Sequence, residues 1–385
     1  MARKEEPYLG FEQGPIRPPS EAYSLLIRLT RNCPWNKCEF CSVYKGSKFS
    51  IRAVDHVIED IELIHKYVEL IRGLADENGN IFREDLLKLS KDAEPNDVDS
   101  FNASLNWLSN GMQSVFLQDA NSLVMKPDRL IQILTHIRRR FPWVERITSY
   151  ARSHSLARIK DENLLKIREA GLNRIHVGLE SGSDKINKLV NKGTTKEIHI
   201  QGGRNVKKAG IELSEYIMPG LGGKRLSELN ALETADALNQ IDADFIRLRT
   251  LTIAEDFPLF GENPDVPFER PTDLEMVKEI RQTIENIEGI SSTLKSDHMM
   301  NLLQTVEGKF PGDKQLMLDI VDEFLDLDPQ HQVYFQVGRR FGFMNQTSDL
   351  KRPNLLEKCQ EICQQLNITP ENADQVIEAH VRRSL

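Results

Sequence analysis

Residues 24–41 read Ser24-Leu-Leu-Ile-Arg-Leu-Thr-Arg-Asn-Cys33-Pro-Trp-Asn-Lys-Cys38-Glu-Phe-Cys41. The first six residues form a strand-like, mostly apolar run, and the chain leads from them into three cysteines spaced C-x4-C-x2-C. Thiolates at that spacing can wrap three corners of an iron–sulfur cubane. Cluster proteins normally supply four cysteines, so three leave one iron open, and a molecule carrying an amino and a carboxylate group could chelate it. Three other readings compete. Plant-type ferredoxins share the spacing and add a distant fourth cysteine, but the next one here is Cys359, and the surrounding pattern is β/α rather than a small β-rich domain. A structural zinc site wants four ligands, often as paired knuckles, and no His lies near the motif. The third reading is three packing cysteines that merely lie close.

Outward from the motif, short apolar runs alternate with longer amphipathic ones. A helix is expected from Val54 to Ile71, with Val57, Ile58, Ile61, Ile64 and Val68 on one face. Strands are expected at Ser114–Leu117, Arg146–Tyr150, Arg174–Leu179, Glu212–Ile217 and Phe245–Leu251. Helices fall between them at Pro127–Phe141, Asp161–Ala170, Ser183–Asn191 with Thr195–Ala209, and Leu226–Ile241. Pro127 suits a first helical turn, and Gly171 and Gly210 read as helix stops. Six strands alternating with helices imply parallel β/α units with right-handed crossovers, as an open doubly wound sheet or a partial barrel. Residues 73–113 are polar, carry two helix-like pieces around Leu86-Leu87 and Leu105–Leu108, and read as an insertion. Beyond residue 256 the alternation fades. Helix-like stretches at 273–287, 313–326, 354–366 and 370–382 make 257–385 a mostly helical C-terminal region.

The chain has 385 residues, 39% of them hydrophobic, enough for a large domain with an appendage. Its net charge of -8 lacks the basic footprint of a nucleic-acid-binding protein, so nucleic acid is not an expected partner. Arg138-Arg139-Arg140 reads as a solvated helix end. No run of 18 apolar residues occurs, so no membrane span is expected. The N-terminus has charge but no apolar core of a secretory signal. With cysteines clustered rather than spread as a disulfide framework, a cytoplasmic, reducing location is expected.

The cysteine motif, with the aromatic Phe40 before its last cysteine, resembles that of the radical S-adenosylmethionine (SAM) superfamily. The likeness is to the subgroup of oxygen-independent coproporphyrinogen oxidase-like and Elp3/MiaB-like catalytic domains, over roughly residues 20–255. The commonest family spacing is C-x3-C-x2-C, so this chain carries one extra residue. The resemblance implies an α/β fold, a partial (β/α)6 TIM-like barrel over residues 1–256, followed by the mostly helical region. It also implies an oxygen-sensitive [4Fe-4S] cluster on Cys33, Cys38 and Cys41, and SAM cleaved to a 5′-deoxyadenosyl radical that takes hydrogen from a substrate.

Barrels of this kind place their chemistry at the C-terminal ends of the strands. There the resemblance puts Phe40 beside the SAM adenine. Asp119 and Asn121 fall after the second strand, at the position of the family's GGE-like turn, though the glycines are missing. Ser149 and Arg152 follow on the third strand. Glu180 in Gly178-Leu-Glu-Ser-Gly182 matches the residue that bonds the SAM ribose or amino acid, and Lys192 the cation for the SAM carboxylate. Glu215 and Ile217 match a polar and an apolar contact on the fifth strand, with Leu251 after the sixth. Arg247 and Arg249 alternate on that sixth strand, and one of them is a candidate for the cavity. His298 is either a surface residue or a general acid or base. Cys359 and Cys363, four apart on a helix, read as packing residues. The expected partners are an unidentified substrate and a one-electron donor such as flavodoxin or ferredoxin. No cobalamin-binding segment is expected ahead of the first strand. The alternative to an enzyme is a cluster-bearing redox sensor or scaffold on the same fold.

Overall fold

The computed structural model describes residues 7–252, 259–260 and 267–384, with side chains described through residue 380. The chain forms two compact units. One holds the residues up to Asn36, Cys41–Val177 and Arg204–Leu213; the other holds Lys37–Phe40, Gly178–Gly203 and Ser214 onward. The boundary expected at residues 256–257 lies outside the described residues.

In the first unit, β1 (Leu25–Arg28) runs into β2 (Thr30–Arg31), which pairs antiparallel with β3 (Ser50–Ile51) and closes the cysteine loop at its base. Then come β4 (Ser114–Gln118), β5 (Arg146–Ala151) and β6 (Arg174–Glu180, of which Arg174–Val177 belong to this unit), each parallel to its predecessor in the order β1-β4-β5-β6. The registers Leu26↔Phe116, Phe116↔Thr148 and Tyr150↔His176 put these side chains on one face. Phe116 and Tyr150 meet edge-on there at 5.1 Å, with His176 5.8 Å from Tyr150. Ile27, Leu117, Ile147 and Ile175 lie on the other face, fully buried.

That second face needs apolar cover, and the helices have the period to give it. α1 (Val54–Arg72) buries Val57, Ile61, Ile64, Val68 and Ile71. Residues 73–113 supply α2 (Arg83–Asp92), which has no fully buried residue but packs Leu86 and Leu89 against Tyr67, Ile71 and Phe101, and α3 (Val98–Ser109), which packs on α1. Trp107 of α3 donates its indole N–H to the Ser114 carbonyl at 2.9 Å and meets Phe141 edge-on at 5.0 Å. Burying each such large side chain contributes roughly 1.5–3 kcal/mol. α4 (Pro127–Arg140), the single turn α5 (Ser153–Leu156) and α6 (Asp161–Glu169) complete the layer.

The second unit contains α7 (Asp184–Leu189) and the first half of α8 (Lys196–Lys208), then most of β7 (Glu212–Ile217). α9 (Ser227–Ile241) leads to β8 (Phe245–Leu248), parallel to β7. α10 (Asp273–Asn286) starts at a capping box, in which Thr272 and Glu275 satisfy each other's backbone N–H. Ile217, Ile246 and Leu248 pack in one cluster with Ala235 and Leu238 of α9 and Val277 and Ile280 of α10. β9 (Thr293–Lys295) then adds a further parallel strand beside β8, one more than the sequence suggested, and β10 (Gly308–Lys309) runs antiparallel to it. The helices α11 (Lys314–Leu325), α12 (Pro329–Arg340), α13 (Pro353–Leu366) and α14 (Ala373–Ser384) follow. Cys359 and Cys363 are buried in that cluster, and burial pushes their thiols up to about 12 and about 11. Such thiols stay protonated and inert. The fold is α/β, a mostly parallel sheet with flanking helices, consistent with a partial TIM-like barrel.

Candidate cluster and cofactor site

The cysteine loop is built from turns that asparagine tolerates. Asn32 (φ 68°) and Asn36 (φ 47°) take the left-handed conformation. Asn36 donates its backbone N–H to the Cys33 sulfur at 3.4 Å and its amide to the Tyr44 carbonyl at 2.5 Å. Cys33, Cys38 and Cys41 are half-buried and form no disulfide.

In the first unit the loop is pinned from β4. Asp119 is fully buried, and its Oδ2 accepts from Arg28 Nε at 2.9 Å, Arg28 Nη2 at 2.7 Å and the Asn32 N–H at 2.9 Å. Oδ1 takes the Tyr44 hydroxyl at 3.4 Å. Burial raises the Tyr44 phenol, and the neighbouring Asp119, Cys33 and Cys41 raise it further, so it remains a donor. The N-terminal segment straps the outside. Glu12 bridges Arg28 (3.3 Å), Arg31 (2.8 Å) and Arg52 (2.6 Å), and Gly14 gives its N–H to Gln118 Oε1 at 2.8 Å. Asn121 donates to Ser155 Oγ at 2.8 Å and accepts from the Arg152 N–H at 3.3 Å. The Arg152 guanidinium lies 5.2 Å from the Trp35 ring, and Ser149 Oγ donates to the Tyr150 carbonyl at 3.0 Å. Asp119, Asn121 and Ser149 therefore spend polar atoms on the chain itself.

In the second unit, Lys37–Phe40 docks on the end of α7. The Glu39 N–H donates to the Val190 carbonyl at 2.9 Å, the Glu39 carboxylate takes the Phe260 N–H at 3.0 Å, and Cys38 Sγ lies 4.0 Å from the Lys192 carbonyl. Lys192 Nζ stands 3.5 Å from Glu180 Oε1 and 5.6 Å from the Phe40 ring centre. Glu180 itself has φ 60°, a strained conformation for a glutamate that functional sites often hold. Gly178 leaves the space, because a Cβ there would sit 2.2 Å from Glu180 Oε1.

Phe40 packs with Met218, Leu251, Ile186, Val190 and Leu221. Ile217 instead belongs to the cluster under α9 and α10. Phe40 and Leu251 are thus brought together, and Ile217 is not with them; its neighbour Met218 is, a residue the sequence reading passed over. Glu215 is level with Ile246 and shares its face. It is wholly buried, and neither carboxylate oxygen has a hydrogen-bond partner among the described residues. Burial lifts its acid constant to about 8, Lys192 pulling it down and Glu180 pushing it up, so at neutral pH it holds a proton. A second buried acid, Glu279, is also lifted by burial, to about 7, but it accepts from the Gly220 N–H, Ser227 and Asn230 and serves to fix the turn after β7.

The donor set fits an iron–sulfur cluster with SAM. Three half-buried thiols follow one strand, and a carboxylate–lysine pair stands beside the middle cysteine's loop. Among the described residues no three His, Cys, Asp or Glu side chains stand close enough to grip a single ion; thiols at separate corners of a cubane need not.

The radical SAM superfamily model matches residues 27–235. A comparison with curated proteins returns no match. Among solved structures, similarity extends to methylornithine synthase (PylB), at 13% identity and TM-score 0.41, over 77% of this chain and 68% of that one. It extends also to coproporphyrinogen III oxidase (HemN) from Escherichia coli, at 12% identity and TM-score 0.42, over 68% of this chain and 52% of that one, about half its length. The archaeal Methanocaldococcus infernus Elp3 gives 14% identity and TM-score 0.41, over 58% of each chain. With the family model matched over more than half of its length, the chain belongs to the radical SAM superfamily, whose enzymes use a [4Fe-4S] cluster and SAM.

Proposed function

We propose that Cys33, Cys38 and Cys41 hold the cluster, and that the enzyme uses SAM to abstract hydrogen from a substrate still to be identified. When bound, the cluster supplies the electron that splits SAM into methionine and a 5′-deoxyadenosyl radical. The chain's own residues bind and orient. Lys192 offers its ammonium to the SAM carboxylate, and Glu180 its carboxylate to the ammonium or ribose hydroxyls. Phe40, Met218 and Leu251 form the apolar wall for adenine. Glu215 keeps its proton and leaves the positive charge of Lys192 to Glu180 and the cofactor. Asp119, Asn121 and Ser149 act as supports, Asp119 by fixing the residue before Cys33, while Arg152 with Trp35 borders the loop. The electron comes from a one-electron donor such as flavodoxin or ferredoxin, in a cytoplasmic setting. Among the described residues no helix is long and apolar enough to cross a membrane.

The observation that carries this reading is the Glu180–Lys192 pair standing beside the loop of Cys38 and Phe40. Anaerobic reduction with dithionite in the presence of SAM tests it. Release of 5′-deoxyadenosine is the expected result. A protein that cycles its cluster without cleaving SAM is instead a redox sensor.

A further inference from the structure

β8 and β9 run side by side with Arg247 level with Lys295, and the residues two further on, Arg249 and Asp297, leave the C-terminal ends of these strands. The cations around this edge are neutralised one by one. Arg247 is buried and ion-paired with Asp297; Lys295 reaches Glu307 at 2.7 Å, and Arg340 reaches Asp273 at 2.6 Å. Arg249 is the exception. Its backbone N–H bonds the Ile217 carbonyl at 2.9 Å, but its guanidinium is exposed and has no ion pair among the described residues.

The loop after β9 sets a second donor beside it. Asn301 locks the loop, accepting from the Thr250 N–H at 3.0 Å and hydroxyl at 2.8 Å and donating to the Leu248 carbonyl at 2.9 Å. His298 is held half-buried, its Nδ1 accepting from the Met300 N–H at 3.3 Å. That bond fixes the tautomer: Nδ1 accepts, so Nε2 carries the hydrogen. No acceptor meets Nε2 among the described residues. Burial, and then the charge of Arg249, lower the imidazole to about 4 against a weaker opposing pull from Asp297, so the ring is neutral at physiological pH.

A cation without an ion pair among the described residues and a neutral N–H donor thus share the C-terminal ends of two parallel strands, where α/β sheets bind ligands. Leu251, two residues beyond Arg249, packs against Met218 and Phe40. We propose that Arg249 and His298 bind an anionic oxyacid group, carboxylate or phosphate, on the substrate of this enzyme. This rests on the reading above, that this end of the strands receives cofactor and substrate. Arg249 supplies the charge and the Nε2–H of His298 the second, directional bond.

The test follows the His298 ring by NMR in the protein carrying its oxidised cluster, the resonance being identified by its loss in H298N. Inorganic phosphate and acetate are added separately, up to tens of millimolar. A bound anion offsets Arg249, so the His298 acid constant rises by about one pH unit or more; whichever anion does this names the oxyacid. In R249Q the ring titrates higher from the start and neither anion moves it. Equal shifts in the parent and R249Q overturn the proposal. So does a His298 that ignores both anions in protein that retains iron and binds SAM. Loss of iron or of SAM binding in the parent protein would instead count against the superfamily chemistry.

Discussion

The backbone N–H of Asn32 points at Oδ2 of Asp119 across 2.9 Å, so a carboxylate at the end of one strand fixes the residue that precedes Cys33 at the end of another. The same oxygen takes two guanidinium N–H groups of Arg28, whose side chain is only 14% exposed.

D119A therefore takes away the buried partner of Arg28, leaving it Glu12 at 3.3 Å, and frees the loop. The expected loss is roughly 1.5–3 kcal/mol, as for a hydrogen bond to a charged group, read from the urea midpoint of the iron-free protein. G14A makes an independent arm, because a Cβ at residue 14 would sit 1.9 Å from Asp119 Oδ1. Parent-like midpoints in both variants would show that the carboxylate does not hold the loop.

Iron should follow the clustered cysteines alone. Anaerobically purified protein is expected to bind about four irons per chain. Replacing Cys33, Cys38 and Cys41 by Ala together abolishes that iron. Replacing Cys359 and Cys363, the buried and protonated thiols of α13, leaves it intact while lowering stability. Colorimetric iron and the visible cluster band read both; full iron in the triple variant would refute the assignment.

Loss of one charge-assisted contact costs about 1.5–3 kcal/mol, or a roughly 10- to 150-fold weaker affinity. E180A is expected to weaken SAM by this factor with iron unchanged, measured by titrating SAM against the EPR signal of the reduced cluster. G178A should act in the same direction without touching a charge, since its Cβ would intrude on Glu180 and come within 3.5 Å of Lys192 Nζ. An E180A protein with parent-like SAM affinity would remove Glu180 from the cofactor.

Glu215 gives a pH signature. Its folded value, about 8, lies above the ordinary 4.5, so the folded chain holds the proton more tightly than the unfolded one. The stability this brings is complete below about 4.5 and is lost as the pH rises through 8. E215Q cannot ionise. Its advantage over the parent should grow across that window by at most about 1.4 kcal/mol per pH unit. Thermal midpoints of the two proteins at pH 6 and pH 9 check this, and parallel curves would mean that the carboxyl is ionised at neutral pH.

The strands that the sequence made legible were those buried on one face and bounded by glycine or polar turns. β4 through β7 emerge within a residue or so of their expected ends. β9 stayed hidden because three residues, Thr293–Lys295, give no apolar run and take their register from β8. α12 stayed hidden because Pro-Gln-His-Gln-Val-Tyr-Phe-Gln-Val places polar residues on a helix stabilised by the neighbours it packs on. The site shows the same division. The cysteines could be read from their spacing, while Glu180 and Lys192 were reached only through the resemblance; the structure sets the two side chains 3.5 Å apart. The face of β7 could not, since Tyr216-Ile217-Met218 is bulky throughout and a one-residue slip exchanges the two sides. Only packing shows that Met218 accompanies Phe40 while Ile217 lies under the helices. Nor did the sequence show that Asp119 would be spent on Arg28 and Asn32, because that depends on partners far away in the chain.

Asn32 and Asp119 are 87 positions apart. At 5–20 residues per second, a ribosome needs on the order of ten seconds to cover that interval. Through that time the loop that carries the three thiols lacks its Asp119 clamp, though its local pairings are already made. Iron delivered then meets a pliable tripod, and iron delivered later meets a fixed one. For a chain that must load an oxygen-labile cluster, the order of synthesis thus sets an early interval in which the ligands can still adjust around their metal.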